Sequence, residues 1–210
     1  MSVYLKKLIE GGENSQLDFK YEISDSRKIA KSLSAFSNTE GGRLLLGVKD
    51  NGSIAGVRTE EEYYMLEKAV LSYCKPEIIF SLKEWKIDKK TVLEVLIPSG
   101  RKKPYLALDE ADKWLAYIRV NDQNLLANTV LLKYWKREKF ESDTFIKYTD
   151  KEKFLLDYLT DNKKITLEEF VLYAGIKRQK AENILVNFLC MKIIGIHITE
   201  KEFYFSLVDL

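Results

Sequence analysis

The chain has 210 residues, a length that accommodates one large domain or two smaller ones. Hydrophobic residues make up 46% and aromatic residues 12% of the sequence, so the chain can bury a core and is not disordered. There are 34 Lys and Arg against 32 Asp and Glu, which leaves a net charge of +2. That balance excludes a histone-like protein that coats a polyanion, but it is compatible with a local basic patch.

The two cysteines, Cys74 and Cys190, and the single histidine, His197, restrict the available chemistry. The cysteines are far apart in apolar surroundings and match neither a zinc knuckle nor a disulfide scaffold, which favours a reducing compartment. A single histidine in a strand-like segment argues against Ser-His-Asp, Cys-His and multi-histidine zinc sites. Any catalysis would therefore use carboxylates, lysine or a bound metal ion.

The N-terminal segment lacks the apolar run and the small-residue cleavage site of a signal peptide. The longest apolar stretches, such as Leu44–Val48, are far shorter than the roughly 20 residues that span a bilayer. We therefore expect a cytoplasmic protein without membrane contact.

The first part of the chain alternates strand-like and helix-like patterns. An amphipathic segment, Ser2–Ile9, precedes Gly11-Gly12, and Asp25 and Gly41-Gly42 are typical of a helix start and a helix end. The predicted helices are 26–38, Glu60–Cys74 and Asn124–Lys136, and the predicted strands are Leu17–Tyr21, Arg43–Val48, Ser53–Val57, Ile78–Trp85, Thr91–Ile97, Tyr105–Leu108 and Trp114–Val120. Mixed strands and helices around one sheet predict an α+β or α/β fold.

Charged and turn residues cluster at Lys136–Asp150, which indicates a domain boundary. Beyond it the pattern predicts three helices and then two strands, with Gly175 as the turn before the third helix: Lys151–Thr160, Thr166–Ala174, Lys177–Met191, Ile193–Thr199 and Phe203–Val208. This order is typical of a winged helix-turn-helix. We expect two domains, residues 1–140 and residues 148–210.

The densest motif lies between Gly12 and Val57, where GENSQLDFK is followed by KSLSAFSNTEGGRLLLGVKDNGSIAGV. The segments contain A-F-x-N-T-x-G-G, G-V-x-D and G-x-I-x-G, after Glu13 and Asp18-Phe19-Lys20. Together with Lys103-Pro104 and Tyr117–Val120, they resemble the Schlafen/AlbA-like domain, also called the divergent AAA domain, of bacterial transcriptional regulators and vertebrate Schlafen proteins. The resemblance covers about the first 140 residues. It implies an α+β domain with a mixed sheet that binds DNA or RNA.

The paired glycines of AFSNTEGG do not match a phosphate-binding loop. A Walker loop runs from strand to helix and ends in Gly-Lys-Ser/Thr, whereas the order here is helix then strand and that tail is absent. We therefore expect a tight helix–strand turn and no ATP hydrolysis, with Asn38 and Thr39 bonding exposed backbone groups.

The resemblance also implies an alternative function, RNA cleavage. Vertebrate Schlafens cleave structured RNA with three carboxylates, and the matching residues here are Glu13, Asp18 and Asp50, with Lys20 able to contact a phosphate. Converging carboxylates would hold Mg²⁺ or Mn²⁺ as the cofactor of a metal-dependent endoribonuclease. Asp18 stands where the pattern usually has the longer Glu. In the structural alternative, Glu13 caps a turn, Asp18 and Lys20 are exposed strand residues, and Asp50 begins a turn.

Two segments are candidates for contact with nucleic acid. Arg101, Lys102 and Lys103 lie between predicted strands and would contact phosphates, with a merely solvated loop as the alternative. Arg178, Gln179 and Lys180 open the third helix of the predicted winged helix, where a recognition helix reaches base edges.

The C-terminal part is less basic than a DNA-binding module usually is. Residues 151–210 contain nine Lys or Arg and nine Asp or Glu, and the predicted wing turn, Thr199–Glu202, is acidic. This neutral module suits protein contacts as well as DNA.

Three functions follow. The first is a nucleic-acid-binding protein of the transcriptional-regulator type, the second a metal-dependent ribonuclease, and the third a protein-interaction adaptor. An exposed sheet edge and the aromatic pair Tyr134-Trp135 add the hypothesis of a homodimer.

Overall fold

We describe the protein from a computed structural model, in which residues 3–138 and 148–208 are described. The chain divides into two compact units, Met1–Ala127 and Asn128–Leu210. The sequence pattern places this boundary later, between residues 140 and 148, because charged residues cluster there. Most of that cluster, residues 139–147, lies outside the described residues.

The first unit combines helices with short strands. Its helices are α1 (Val3–Glu10), α2 (Ser26–Asn38) and α3 (Thr59–Tyr73), and its strands are β1 (Leu17–Lys20), β2 (Gly41–Leu46), β3 (Cys74–Lys75), β4 (Ser81–Ile87), β5 (Lys90–Pro98), β6 (Leu106–Leu108), β7 (Trp114–Val120) and β8 (Gln123–Leu126). Asp25 caps α2 as predicted, because its side chain accepts a hydrogen bond from the backbone N–H of Arg27.

The strands of the first unit form two sheets rather than the one sheet that the sequence predicts. The first sheet has the order β1-β2-β5-β4 and is mixed, because β1 and β2 run parallel and the other neighbours run antiparallel. The second sheet has the order β3-β6-β7-β8 and is antiparallel. Alternating apolar and polar residues predict where a strand lies, but they do not predict which other strand it pairs with. The sequence pattern therefore does not show that the strands form two sheets.

The first unit buries apolar side chains on both faces of the first sheet. Leu44 packs in the larger core, together with α2 and α3, whereas Leu45 packs in a smaller core beneath Leu5 of α1. Successive side chains of a strand point to opposite faces, so one continuous apolar run serves both cores. Each fully buried leucine contributes about 1.5–3 kcal/mol through the hydrophobic effect.

Two predicted elements of the first unit differ from the structure. Ser53–Val57 is not a strand, and only Ile54 forms an isolated bridge. The predicted helix Asn124–Lys136 is instead strand β8 followed by a helix that begins at Thr129. Asn121 has a φ of 52°, which suits a tight turn between β7 and β8, and the side chain of Asn128 accepts the N–H of Leu131 and caps the helix.

The second unit contains four helices and three short strands within its described residues. They are α4 (Thr129–Glu138), α5 (Asp150–Asn162), β9 (Ile165–Thr166), α6 (Leu167–Ala174), α7 (Arg178–Cys190), β10 (Ile194–Ile198) and β11 (Phe203–Leu207). The strands form an antiparallel sheet in the order β10-β11-β9, of which the sequence pattern misses β9. Helix α4, which the sequence pattern assigns to the first domain, packs against α7 in the second unit.

Local signals define the helix ends of the second unit. Thr149 with Glu152, and Thr166 with Glu169, form capping boxes at the starts of α5 and α6. Gly175 has a φ of 59° and ends α6, as the sequence predicts. None of the helices in residues 3–138 and 148–208 is long and apolar enough to cross a membrane.

Helix α3 places one carboxylate in the interior of the first unit. Glu62 is 5% exposed, and its Oε2 accepts the backbone N–H of Ile23 at 3.0 Å. Burial raises the pKa of Glu62, and the neighbouring Glu22 and Glu61 add to the rise. Because the folded-state pKa is raised, ionised Glu62 opposes folding, and stability is lost as the pH rises from the unfolded-state pKa through the folded-state pKa.

We expect Glu62→Gln to be more stable than the wild type at pH 7, since glutamine keeps an acceptor for Ile23 and cannot ionise. The gain should be largest above the folded-state pKa of Glu62 and disappear below the unfolded-state pKa. Urea unfolding at several pH values measures it, with Glu60→Gln, at an exposed residue of the same helix that does not shift the pKa of Glu62, as the control. Equal stabilities of Glu62→Gln and the wild type at pH 7 would contradict this expectation.

Candidate nucleic-acid interface

The end of α2 is fixed by the side-chain amide of Asn38. Its Nδ2 donates to the carbonyl oxygens of Tyr105 and Tyr117, both at 2.8 Å, and its Oδ1 accepts the N–H of Tyr105 at 2.8 Å. Asn38 is 3% exposed, so water cannot replace these bonds. One amide therefore joins α2 to β7 and to the residue that precedes β6.

The segment Pro98–Pro104, which we call the basic loop, is attached to the same end of α2. Gly100 donates its N–H to the carbonyl of Ser37 at 2.8 Å. Lys103 donates from Nζ to the carbonyl of Thr39 at 3.3 Å. The end of α2 therefore supports the basic loop, and this gives the A-F-x-N-T sequence a structural role.

The tight helix–strand turn that the sequence predicts is present at Gly41-Gly42. Gly41 has a φ of 80°, and a Cβ at this position would lie 2.7 Å from the carbonyl oxygen of Ile97 and 2.8 Å from the nitrogen of Ser99. Only glycine avoids both the strain and the overlap. This close approach brings the start of β2 against the start of the basic loop.

The basic loop carries its charges outward. Arg101 and Lys102 are exposed, and Lys103 is half-buried. Neither Arg101 nor Lys102 takes part in an ion pair with any residue that the structure describes. These two cations are therefore available to an anionic partner.

Three of the four residues predicted for a catalytic site lie together beside β1. Lys20 Nζ is 2.9 Å from Asp18 Oδ2 and 3.9 Å from Glu13 Oε1, and Glu13 Oε1 accepts the N–H of Phe19 at 2.8 Å. Burial raises the pKa of Glu13, and the neighbouring carboxylate of Asp18 adds to the rise.

Asp18 forms a buried ion pair that the sequence does not reveal. Its Oδ1 is 3.2 Å from Nη2 of Arg119, and the two residues are 3% and 5% exposed. Arg119 also donates to the carbonyls of Leu17 and Asn14, at 3.3 Å each, and so joins β7 to β1. The interpretation of Asp18 as an exposed strand residue is therefore wrong. The sequence signal for this buried role is that Arg119 is a charged residue in the otherwise apolar strand β7.

The predicted metal ligands are not combined into a metal site. Asp50 is exposed in the turn region after β2, and no group of three or more Asp, Glu, His or Cys side chains in the described residues could hold a metal ion. Asp18 Oδ1 accepts from Arg119, whereas the buried Oδ2 lies 2.9 Å from Lys20 Nζ and has no hydrogen-bond partner among the described residues. A divalent ion at Asp18 would have to compete with these two cationic side chains, and the assignment of Glu13, Asp18 and Asp50 as its ligands stays a prediction.

In the second unit, the predicted nucleic-acid contacts lie at the start of α7, and Arg178, Gln179 and Lys180 are exposed. Arg178 is held between two glutamates: its Nε is 3.2 Å from Glu182 Oε1, and its Nη1 is 3.1 Å from Glu168 Oε1. The positive charge of Arg178 is therefore largely balanced within the unit.

Glu182 stays ionised beside Arg178. Burial alone would raise the pKa of Glu182, but hydrogen bonds from Lys133, at 2.7 Å, and from Thr129 outweigh burial and lower that pKa. Lys133 and Arg178 therefore share one carboxylate. This arrangement further reduces the positive potential at the start of α7.

The two members of the aromatic pair that suggested a homodimer are buried or partly buried. Trp135 is 6% exposed, and Tyr134 is partly buried against the core of that unit. The pair therefore offers no exposed aromatic surface for a second copy of the chain, and this basis for the homodimer is wrong.

The first unit is thus a mixed α+β domain in which a helix–strand turn supports an exposed basic loop. The model of the Schlafen, AlbA_2 family matches residues 13–128, more than half of the chain. The chain belongs to the Schlafen AlbA_2 family, which confirms the resemblance of its motifs.

Two solved structures are similar to part of the chain. The crystal structure of the DIP2311 protein from Corynebacterium diphtheriae is 18% identical, with 66% of this chain and 31% of that chain covered and a TM-score of 0.46. The solution NMR structure of the N-terminal domain of a protein from Nitrosomonas europaea, described as related to the ATP-dependent DNA helicase RecG, is 19% identical, with coverages of 60% and 95% and a TM-score of 0.42. The similarity therefore spans less than a third of the DIP2311 chain.

Replacing the buried amide should destabilise the first unit. In Asn38→Ala, the carbonyl of Tyr117 and the N–H of Tyr105 lose the partner that Asn38 supplies, which costs about 2–3 kcal/mol. Asn51→Ala removes an amide from an exposed turn and should cost less than about 1 kcal/mol. Urea unfolding compares the two variants, and equal losses would show that the Asn38 bonds are not important for stability.

Replacing Asp18 separates a structural role from a catalytic one. Asp18→Asn leaves Arg119 buried without its closest counter-charge and should cost about 3 kcal/mol or more, whereas Asp50→Asn, at an exposed turn, should cost less than about 0.5 kcal/mol. Thermal and urea unfolding give the comparison. An Asp18→Asn protein of unchanged stability that loses Mn²⁺-dependent RNA cleavage would instead support the ribonuclease alternative.

Proposed function

We propose that this chain is a nucleic-acid-binding protein in which the basic loop of the first unit makes the principal contact with phosphates. The observation that carries the proposal is the pair of exposed cations, Arg101 and Lys102, on a loop attached to the end of α2. Membership of the Schlafen AlbA_2 family supports a nucleic-acid-related function.

The attachment of the basic loop to α2 favours phosphate binding by lowering the entropy that the loop loses when it binds. A flexible loop loses conformational entropy when it binds, whereas a loop held by Gly100 and Lys103 has part of its geometry in place beforehand. Cations that already form ion pairs must break them before they contact a phosphate. The loop cations Arg101 and Lys102 have no such pair among the described residues, and Arg178 has two.

We further propose that the second unit is a winged helix and that the protein acts as a DNA-binding transcriptional regulator. Helices α5, α6 and α7 followed by the hairpin β10-β11 support this assignment. Lys164, just before β9, is paired with Glu202 of the wing turn at 2.8 Å, and Arg178 is paired with Glu168 and Glu182, so these two cations add little phosphate affinity. Binding by two linked modules would then depend mainly on the first.

The balanced charge of the second unit favours a second candidate function, a protein-interaction adaptor. The ion pairs Lys133–Glu182 and Lys164–Glu202 leave little unbalanced positive charge to attract a phosphate backbone, and such a surface suits contact with a protein. In this candidate function, removing the basic loop charges would leave partner binding unchanged. The two functions therefore differ in their response to the same variant.

The test compares two double variants that each remove two cations. We expect Arg101→Ala/Lys102→Ala to weaken binding to double-stranded DNA or to single-stranded RNA, and to reduce the slope of log affinity against log salt by about two units, one for each lost phosphate contact. Arg178→Ala/Lys180→Ala should reduce the slope by less than about one unit. Fluorescence anisotropy at several salt concentrations gives both slopes.

The outcomes separate the candidates. A larger effect of the Arg178→Ala/Lys180→Ala variant would assign recognition to the second unit. Absence of binding to either nucleic acid at low salt would contradict the proposed function and favour the adaptor. Tighter binding to RNA than to DNA would identify RNA as the partner and leave the loop assignment intact.

A further inference from the structure

A second surface of the first unit differs from the basic loop in both charge and polarity. Two adjoining hollows, of about 420 Å³ and about 250 Å³, share Tyr63 as a lining residue. We call them together the acidic groove. It follows α3 from Glu60 to Leu71 on one side, with residues 77–84 on the other.

The acidic groove exposes large apolar side chains. Leu71 is 70% exposed, Ile79 is 79% exposed and Tyr63 is 44% exposed. A single exposed apolar residue needs no explanation, but several around one hollow mark an interaction site in a folded protein. Covering these side chains would remove apolar surface from water and would favour binding of a partner with apolar groups.

The charge of the acidic groove indicates which partner it fits. Its charged lining residues are all carboxylates, Glu60, Glu67, Glu77 and Glu84, and the lining contains no Lys or Arg. Four carboxylates repel a phosphate backbone and attract a cationic one. Because the whole chain carries +2, this attraction is local to the groove and does not follow from the net charge.

We propose that the acidic groove binds a basic amphipathic helix of a partner protein. The part of α3 that lines the groove rises by about 16 Å, which equals about three turns of a helix. A partner helix of that length would place apolar side chains at positions i, i+4 and i+7 against Leu71 and Ile79, with Lys or Arg on its flanks facing the four carboxylates. The acidic groove shares no lining residue with the basic loop. One copy of the chain can therefore bind nucleic acid and the partner helix at the same time.

The probe is a fluorescein-labelled peptide of about 14 residues that contains only leucine and lysine, with leucines at helical spacing. A peptide of equal composition with strictly alternating leucine and lysine has the same charge but the pattern of a strand. We expect the helical peptide to bind the full chain at least about tenfold more tightly than the alternating one. Replacing its lysines by glutamate should abolish binding.

Matched variants assign the binding to the groove. Leu71→Ser and Glu67→Lys should each weaken binding of the helical peptide by at least about fivefold. Leu172→Ser changes a leucine that is 72% exposed in the second unit, and Glu61→Lys changes an exposed glutamate of α3 outside the groove. Both control variants should bind as the wild type does, and thermal unfolding checks that all four remain folded.

Several results would overturn the proposal. Equal binding of the helical and the alternating peptide, or tighter binding of the alternating one, would indicate strand addition at the edge strand β4 or unspecific attraction. Equal effects of the groove and control variants would place the binding elsewhere. Self-association of the wild type in analytical ultracentrifugation, lost in Leu71→Ser but kept in Leu172→Ser, would show that a second copy of the chain occupies the groove.

Discussion

The hydrogen bonds of one buried amide connect the parts of the first unit on which its proposed function depends. Asn38 lies where α2 ends, and it satisfies backbone groups of Tyr105 and Tyr117 in two different segments. A buried amide that bonds on both its oxygen and its nitrogen accepts few other geometries. The helix end, the start of β6 and the middle of β7 are therefore fixed relative to one another, and the basic loop is attached to this fixed point.

In the first unit, some charged side chains are buried in ion pairs and others are exposed to external partners. Its most enclosed ion pair, between Asp18 and Arg119, joins β1 to β7, and both groups are inaccessible to an external partner. Arg101 and Lys102 are exposed and unpaired among the described residues, while the acidic groove is a surface of opposite sign. The nearly neutral sequence thus produces one cationic and one anionic surface, each suited to a different class of partner.

Much of the local structure could be predicted because it depends on neighbours in sequence. Asp25 and Gly175 cap helices through bonds to residues at most a few positions away, and the prediction was correct at both sites. The predicted helix Asn124–Lys136 was correct from Thr129 onward and wrong before it, because the turn at Asn121 starts a strand there and the cap at Asn128 sets the start of the helix. The division of the strands into two sheets depends on pairing between distant segments and was not predicted.

The sequence by itself determined the family, the cap residues, the order of most helices and strands, and the existence of three adjacent cations at residues 101–103. Only the tertiary structure decided which charged side chains remain available. Asp18 and Arg119 are 101 positions apart, and their contact places a predicted metal ligand in a buried ion pair. Arg178 is paired with Glu168 and Glu182, whereas Arg101 is not paired with any described residue. The physical reason is that the interaction energy of a charged side chain depends on its distance from other charges and on its exposure to water. Both are set only when the chain folds.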